Sequence, residues 1–207
     1  MTKDAKRESD PGFVEYPYLR VANVQRGFLD LSEVTTIRAD PHKAKKLVLR
    51  PGDILFNEGG DRDKLGRGWV WEGQIENCIH QNHVFRARLT DSDFDPYFVS
   101  MHANAWGRQW FESRGKQTTN LASLSLTTLK SFPVPAPSLE DQQSVVAELQ
   151  SIAGSEDRLR SDLDRVDRRS KTLRRAVLAS AFSGRLVPQD PSDEHASGLL
   201  ERIAASR

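Results

Sequence analysis

The chain has 207 residues, of which 29% are charged and 37% are hydrophobic, and its formal net charge is +1. This length allows one globular domain with an appendage, or two small domains. The near-neutral charge means that any affinity for nucleic acid must come from local basic patches. A single cysteine, Cys78, excludes an intrachain disulfide and fits a reducing cytosol. No apolar run has membrane-spanning length and no apolar core follows the charged N-terminus, so we expect neither a membrane anchor nor a signal peptide.

The first two thirds of the chain are predicted to form a domain of mixed strands and helices. Residues 1–15 are polar and are predicted to be a disordered lead-in. Asp95-Pro96 is typical of a helix start, because the carboxylate caps the first turn and proline fits within it; this helix is predicted to end near Glu112. Short apolar runs between turn residues predict strands at 18–24, on both sides of Pro51-Gly52 within 47–56, at 69–71 and at 83–88.

The composition changes after Pro137. Residues 132–137 alternate proline with apolar residues, which predicts a stiff extended linker. Ser138 and Asp141 have the spacing of a capping box, with Asp in place of the usual Glu or Gln, and Gly184 is a natural stop. The sequence therefore predicts a helix from Leu139 to Ser183, about 65 Å long at 1.5 Å per residue.

This helix is predicted to need a partner. A long helix with one narrow apolar stripe is not stable alone in water. Its acidic residues lie mainly in the first half and its basic residues mainly in the second, which fits either the helix dipole or antiparallel pairing of two copies. The stripe keeps a heptad-type spacing through Leu149, Ile152, Leu159, Leu163, Val166, Leu173 and Val177.

Residues 52–68 start as an apolar strand and continue as a loop with four glycines, two arginines and a lysine. Glycine lets one backbone approach another closely, and arginine and lysine are the side chains that contact phosphate. The pattern indicates a loop that touches a polyanion.

The sequence offers weak signals for catalysis. Asp95-Pro96-Tyr97-Phe98 lacks the second proline of an adenine-methyltransferase loop, so a helix cap is the favoured interpretation. Cys78, His80 and His83 are metal-binding residue types but lack the spacing of a closed zinc site. Asp53 and Glu58 resemble a nuclease carboxylate pair without its lysine. We therefore predict that the chain has no metal site and catalyses no reaction by itself.

Several segments, taken in order, resemble the specificity (S) subunit of type I restriction-modification enzymes. They begin with the Pro-Tyr-Leu-Arg motif at Pro17–Arg20. The resemblance covers residues 16–207, and each fragment is modest evidence on its own, whereas their order is specific. The matching segments are 16–24, 52–68, 74–86, 117–121, 132–135 and 173–191.

The resemblance implies an α+β protein: a mixed α/β target-recognition domain with a β-sheet core, a long coiled-coil helix and a short C-terminal helix. The implied ranges are 16–137 for the domain, 138–184 for the helix and 185–207 for an extended segment with the short helix. A complete S subunit of these bacterial, cytoplasmic systems has two such units, whose helices pair antiparallel and whose domains each bind half of an interrupted DNA site. Modification subunits methylate adenine with S-adenosylmethionine, and restriction subunits add ATP- and Mg-dependent translocation and cleavage. The chain itself is expected to hold no cofactor.

Two departures from the family pattern matter. The chain has one recognition domain and one spacer helix, and only a short polar stretch precedes the Pro-Tyr-Leu-Arg motif. It is therefore expected to be either a half-subunit that forms a homodimer or pairs with a second S half, or the C-terminal part of a longer subunit. A different interpretation is a coiled-coil assembly or regulatory fragment that does not direct target choice. An unusual nuclease or methyltransferase is the weakest alternative.

Sequence-specific binding to double-stranded DNA needs phosphate contacts for register and groove contacts for base identity. For Gln117 and Asn120, capping of a turn is an equally good interpretation. The predicted phosphate contacts are Arg62, Lys64, Arg67, Arg86 and Lys116. The predicted base contacts are Gln25, Arg26, Arg108, Gln117 and Asn120, with Thr118 in the same segment.

Overall fold

The computed structural model describes residues 11–117, 121–188, 190 and 192–206, and these fall into two compact units that divide between Leu149 and Gln150. The described strands are β1 (Val14–Leu19), β2 (Thr35–Ala39), β3 (Ile54–Asn57), β4 (Gly59–Gly60), β5 (Gly68–Val70), β6 (Ile79–His80), β7 (Val84–Ala87), β8 (Lys116–Gln117) and β9 (Ala122–Ser123). The described helices are α1 (Pro41–Leu47), α2 (Pro96–Ala105), α3 (Gly107–Arg114), α4 (Leu126–Lys130), α5 (Leu139–Phe182) and α6 (Ala196–Ala205), and Arg62–Lys64 forms a 3-10 turn. No helix among these residues is both long and apolar enough to cross a membrane.

The strands of the first unit form three small sheets, with strand orders β2-β1-β6, β5-β3-β7 and β4-β9-β8. In the first sheet, β1 runs antiparallel to β2 and parallel to β6. In the second, β3 runs antiparallel to both neighbours, with Leu55 opposite Trp69 on one side and Arg86 on the other. In the third, β9 joins the glycines of β4 to β8.

Strand β3 lies between two apolar cores. All four of its residues are buried, and successive side chains of a strand point to opposite faces of the sheet. Ile54 and Phe56 pack into a core with residues of β5, α2 and α3. Leu55 packs into the other core, which holds Leu19 of β1 and Trp71.

Buried polar side chains hold the irregular segments to this centre. Asn23 accepts a hydrogen bond from the Arg20 amide and donates to the carbonyls of Asp30 and Glu33, at 2.9, 2.9 and 2.8 Å. These three bonds close residues 20–33 into a compact loop. The side chain of Asn57, at the end of β3, donates to the Val24 carbonyl at 2.8 Å and so fixes this loop against the sheet.

The predicted α+β class is confirmed, and so is the long helix, which ends one residue before the predicted position. The strand predicted at 18–24 instead begins earlier, as β1, and the chain then turns where Asn23 draws the backbone back. The helix predicted from residue 95 to Glu112 starts as expected, with Asp95 accepting from the Tyr97 and Phe98 amides. It is divided into α2 and α3 at Trp106, next to the tight packing of Gly107 on Phe132.

Gly68 provides a test of the packing around β3. A Cβ atom at this position would lie 1.8 Å from the Leu55 carbonyl oxygen. Leu55 belongs to β3, the central strand of its sheet, and its backbone cannot move away without breaking the hydrogen bonds to the neighbouring strands. We expect Gly68→Ala to destabilise the first unit by about 3 kcal/mol. All four tryptophans of the chain, Trp69, Trp71, Trp106 and Trp110, lie in this unit, so tryptophan fluorescence during urea unfolding measures the effect.

The control is Gly154→Ala in α5, where an added Cβ has no atom within 4 Å. It should leave the tryptophan transition unchanged and raise helix stability by about 0.8 kcal/mol, because alanine is the better helix former. Equal tryptophan transitions for Gly68→Ala and the unsubstituted chain would contradict the packing argument.

Candidate nucleic-acid interface

Five of the predicted DNA contacts come together on one surface of the first unit. Arg26 donates to the Asp63 carbonyl at 2.9 Å, and Arg62 donates to the Glu112 carbonyl at 3.1 Å, so the loop around residue 26, the 3-10 turn and helix α3 are neighbours. We call this group the basic surface; it consists of Arg26, Arg62, Lys64, Arg67 and Arg108.

Contacts with the interior of the first unit fix the shape of the glycine-rich loop. Leu65 is fully buried, and Gly66 follows with a φ of +63°, a conformation that side-chain-bearing residues rarely adopt. A Cβ atom on Gly66 would lie 2.2 Å from the Phe111 ring. Leu65 and Gly66 therefore hold the loop against α3, and Lys64 and Arg67 are the residues on either side of them in the chain.

Arg26 is the residue that joins the parts of the basic surface. Its guanidinium donates to the carbonyls of Asn104 and Asp63 at 2.8 and 2.9 Å, which connects the 20–33 loop to the end of α2 and to the 3-10 turn. Partial burial, followed by the positive charges of Arg108 and Arg67, lowers the pKa of Arg26 from its usual value. These two bonds occupy two of the five donors of the guanidinium.

Arg67 carries a donor that the described residues do not satisfy. Its Nε is buried and has no hydrogen-bond partner among them, while partial burial lowers the pKa of the side chain and Asp63 and Asp61 act in the opposite direction. Because this Nε is buried, it is out of reach of an external anion, and the part of Arg67 that is suited to a phosphate oxygen is the rest of its guanidinium, whose Nη2 donates a long hydrogen bond to the Val21 carbonyl at 3.5 Å.

Acidic side chains offset part of the positive charge. Arg108 pairs with Glu112 at 2.9 Å, a bond that raises the pKa of Arg108. Lys64 hydrogen-bonds to Asp61 and lowers the pKa of that carboxyl. Exposed ion pairs of this kind contribute little to stability, so these cations can be redirected to phosphate at low cost.

The structure places the other predicted contacts elsewhere or does not describe them. Arg86 lies on β7 and donates to the carbonyls of Lys46 and Val48, both at 3.1 Å, beside the end of α1. Gln25 donates to the Ala22 carbonyl at 2.6 Å within its own loop. Lys116 is exposed at the start of β8. The side chain of Gln117, and Thr118 and Asn120 entirely, lie outside the described residues.

The residues considered for catalysis have structural partners. Asp53 is buried and accepts from Arg88 Nε and Nη2, both at 2.7 Å. Burial raises the pKa of the Cys78 thiol to about 11 and lowers the pKa of His80. Within the described part of the chain, no group of three or more His, Cys, Asp or Glu side chains is arranged to hold a metal ion.

Asn104 has a structural role that the sequence did not reveal. Its side chain donates to the Gly68 carbonyl at 2.7 Å and accepts from the Gly68 amide at 3.2 Å. Its backbone carbonyl accepts a hydrogen bond from the Arg26 guanidinium. It therefore links β5, α2 and the basic surface. An asparagine within a helical pattern carries no local signal for a partner 78 residues away in the chain.

Comparison with known proteins places these features in context. No family model matches the chain. It is 24% identical over 145 residues to the putative type I restriction enzyme MjaX specificity subunit of Methanocaldococcus jannaschii, covering 68% of this chain and 33% of that protein. It is 26% identical over 203 residues to the type I restriction enzyme EcoBI specificity subunit of Escherichia coli, covering 91% of this chain and 41% of that protein.

The predicted resemblance to type I specificity subunits is confirmed. A shorter stretch of 37 residues is 60% identical to the EcoAI specificity subunit of Escherichia coli, covering 18% of this chain and 6% of that protein. The chain spans 33% of the length of the MjaX subunit and 41% of the length of the EcoBI subunit.

If the basic surface binds DNA phosphates, its residues determine the affinity for DNA and the dependence of that affinity on salt concentration. We expect Arg62→Ala, Lys64→Ala and Arg67→Ala each to weaken binding to every DNA sequence by a similar factor. Each should also reduce the slope of log affinity against log salt concentration by about 1, because one phosphate contact and its counterion are lost. Fluorescence anisotropy of labelled duplexes over a series of salt concentrations measures both quantities.

The matched control is Arg165→Ala. Arg165 is exposed on α5, outside the heptad stripe, in an ion pair with Asp162. This substitution removes the same charge and should leave the salt slope unchanged. Equal slopes for the control and the three test variants would refute the phosphate role.

Proposed function

We propose that the chain is the sequence-specific DNA-binding specificity subunit of a type I restriction-modification system. In this role it directs an adenine-N6 methyltransferase subunit, and a restriction subunit where one is present, to an interrupted target site. The observation that carries the proposal is the basic surface, which three separate segments of the first unit build together. The similarity to specificity subunits supports the same function.

The proposed division of labour on DNA follows from residue chemistry. Arg62, Lys64 and Arg67 are the phosphate contacts that set register, because they belong to one loop seated on α3. Arg108 is the proposed base contact, since arginine pairs bidentately with guanine in the major groove. Arg26 is held by backbone carbonyls, so in this proposal it contributes a remaining donor and the shape of the surface.

The long helix supplies the proposed dimer contact. Leu159, Leu163, Val166 and Leu173 each leave between 61% and 63% of their surface exposed, on one stripe of α5. An isolated helix with such a stripe gains stability only by burying it. We propose that the stripe packs against a second long helix, in a homodimer or with another specificity half, and that Leu149, Ile152 and Val177 belong to the same contact.

Charge order supports antiparallel pairing of these helices. Glu140, Asp141 and Glu148 lie near the beginning of α5, whereas Arg174 and Arg175 lie near its end. Antiparallel packing sets the acidic end of one helix beside the basic end of the other, which is favourable, and parallel packing sets like charges together. A twofold homodimer would then bind a palindromic, interrupted site.

The chemistry in this proposal belongs to partner subunits. The modification subunit would hold S-adenosylmethionine, and the restriction subunit would use ATP and Mg. The chain itself contributes DNA recognition and assembly and no catalysis. The proposed location is the bacterial cytoplasm, where the DNA target and these partners are found.

The exposed stripe on α5 also favours a second candidate function. A fragment that pairs through this helix could occupy the assembly without directing target choice. That candidate accounts for the stripe but gives no role to the basic surface. The two candidates differ in whether the chain creates a new methylated sequence.

Genome-wide mapping of adenine methylation is the direct test of the proposed function. Cells that express the chain with its cognate modification subunit should gain one interrupted motif that is absent from cells with the modification subunit alone. Arg108→Ala should change or relax a base within the motif, because it removes a base contact. Assembly with the modification subunit but no new motif would support the second candidate.

The helix contact has a separate test in solution. We expect Leu163→Glu to convert the dimer to monomer, because it places a charge in the middle of the apolar stripe. Ser161→Glu is the control, since Ser161 is exposed on the opposite side of the heptad pattern. Sedimentation equilibrium distinguishes the states, and an unaltered dimer in Leu163→Glu would contradict the proposed interface.

A further inference from the structure

Trp106 has a large exposed aromatic surface at the junction of α2 and α3. Of the four tryptophans, all of which the structure describes, only Trp106 is exposed, with 54% of its surface open to solvent. Tryptophan is usually highly buried, and an exposed ring is typical of a surface that binds a partner. The Trp106 ring therefore has more open surface than packing within the first unit explains.

Contacts on one side hold the Trp106 ring in place. The imidazole of His102 stacks on it, with a centroid separation of 5.4 Å and an interplanar angle of 14°. The Phe132 ring lies 6.0 Å from the Trp106 ring and 5.4 Å from the His102 ring. His102 Nε2 lies 3.2 Å from the Pro133 carbonyl oxygen, which fixes the imidazole. Because the indole is already held, it loses little conformational entropy when a ligand binds to its open part.

A cavity of about 230 Å³ lies against the indole. His102 is not among the residues that line it, so the cavity adjoins a part of the ring that the stacked imidazole leaves open. Pockets for drug-sized ligands measure about 300–1,000 Å³, and the smaller volume here suits a single flat ring. We call this site the tryptophan cavity; it is lined by Trp106, Gln109, Trp110, Ser113 and Arg114.

The polar groups of the tryptophan cavity are suited to a nucleobase. The guanidinium carbon of Arg114 lies 4.3 Å from the centroid of the Trp110 ring, a cation–π contact that keeps a positive charge beside the cavity. Gln109 brings an exposed side-chain amide, whose donor and acceptor can pair with the edge of a base. None of the five lining residues is acidic, so the charge of the cavity complements an aromatic group that belongs to a polyanion.

Helix geometry places the tryptophan cavity next to the basic surface. Trp106 has helical backbone angles and leads directly into α3. At about 3.6 residues per turn, Gln109 points outward between Arg108 and Trp106, while the buried residues Gly107 and Phe111 point inward. Arg108 belongs to the basic surface, so a polyanion that lies over the outward face of α3 meets this cation on one side and the indole on the other.

We propose that the tryptophan cavity binds one unpaired base of DNA, which stacks on the open part of the Trp106 ring. The proposal rests on the DNA binding of the proposed function, which brings the nucleic acid to α3. Gln109 contacts the edge of the base, and Arg114 contacts a neighbouring phosphate. Since a base inside an intact duplex cannot offer its face to a protein ring, the cavity favours DNA in which one base has left the stack.

The test compares two labelled duplexes that are identical except for one additional, unpaired adenine in the middle of one strand. Fluorescence anisotropy with the purified full chain gives the affinity for each duplex at one salt concentration. Trp106→Ala removes the ring, Trp106→Leu keeps an apolar side chain without a flat ring, and Trp106→Phe keeps a ring. Val14→Ala is the control, because Val14 is 50% exposed on β1 and its truncation removes apolar surface at a different sheet.

We expect the unsubstituted chain to bind the duplex with the unpaired adenine about tenfold more tightly, because base–aromatic stacking contributes an affinity of this order. Trp106→Ala and Trp106→Leu should bind both duplexes with the affinity that the unsubstituted chain has for the paired one. Trp106→Phe should keep most of the preference, and Val14→Ala should keep all of it. The urea transition of the remaining tryptophans shows whether each Trp106 variant is folded, and Trp106→Leu decides the test if Trp106→Ala is not.

The outcomes separate this proposal from the function on which it rests. Equal affinity of the unsubstituted chain for the two duplexes overturns the cavity and leaves the proposed function intact. A preference that persists in folded Trp106→Ala or Trp106→Leu also overturns it, because the unpaired base then binds elsewhere. Binding to neither duplex overturns the proposed function and the cavity together. A preference that depends on Trp106, without a new motif in the methylation map, supports the cavity as a DNA site and overturns the targeting role.

Discussion

The first unit depends on the burial of β3 on both faces. Four consecutive residues of this strand are almost fully excluded from solvent, so Ile54 and Phe56 stabilise one core and Leu55 stabilises the other. Each such side chain contributes about 1.5–3 kcal/mol when it is fully buried. Strand β7 also reaches both cores, with Val84 in the core of Leu55 and with Phe85 and Ala87 against the other. The loops of the basic surface therefore keep their positions only while β3 and its neighbours β5 and β7 stay paired.

Asparagine and glutamine side chains hold the segments without regular structure in place. Asn23, Asn57, Asn104 and Gln142 bind backbone groups of segments distant in sequence. A side chain that pairs with a carbonyl or an amide fixes a loop regardless of which residues the loop carries, because the backbone groups are the same in every sequence. The exposed residues between the anchors can therefore change while the shape of the surface is kept.

The local and the long-range parts of the structure were not equally predictable. The limits of α5, its capping by Ser138 and the cap of α2 by Asp95 follow from signals within a few residues, and the sequence predicts them. β2, α1 and α4 were not predicted, because these segments are short and mix polar with apolar residues. Packing against the rest of the unit decides their conformation. The convergence of Arg26 with the 3-10 turn and α3 depends on a bond to Asn104, which no local pattern encodes. Residue chemistry therefore predicts candidate DNA contacts, but only the fold shows which of these side chains share a surface.

The first turns of α5 are attached in the same way. Gln142 and Val146 are the buried residues of α5. Apolar packing by Val146 is non-directional, whereas the side-chain amide of Gln142 has three backbone partners, the Asp95 amide and the carbonyls of Asp93 and Pro137. The directional part of this attachment therefore comes from hydrogen bonds, which is the physical reason for a buried polar residue in the first turn of α5.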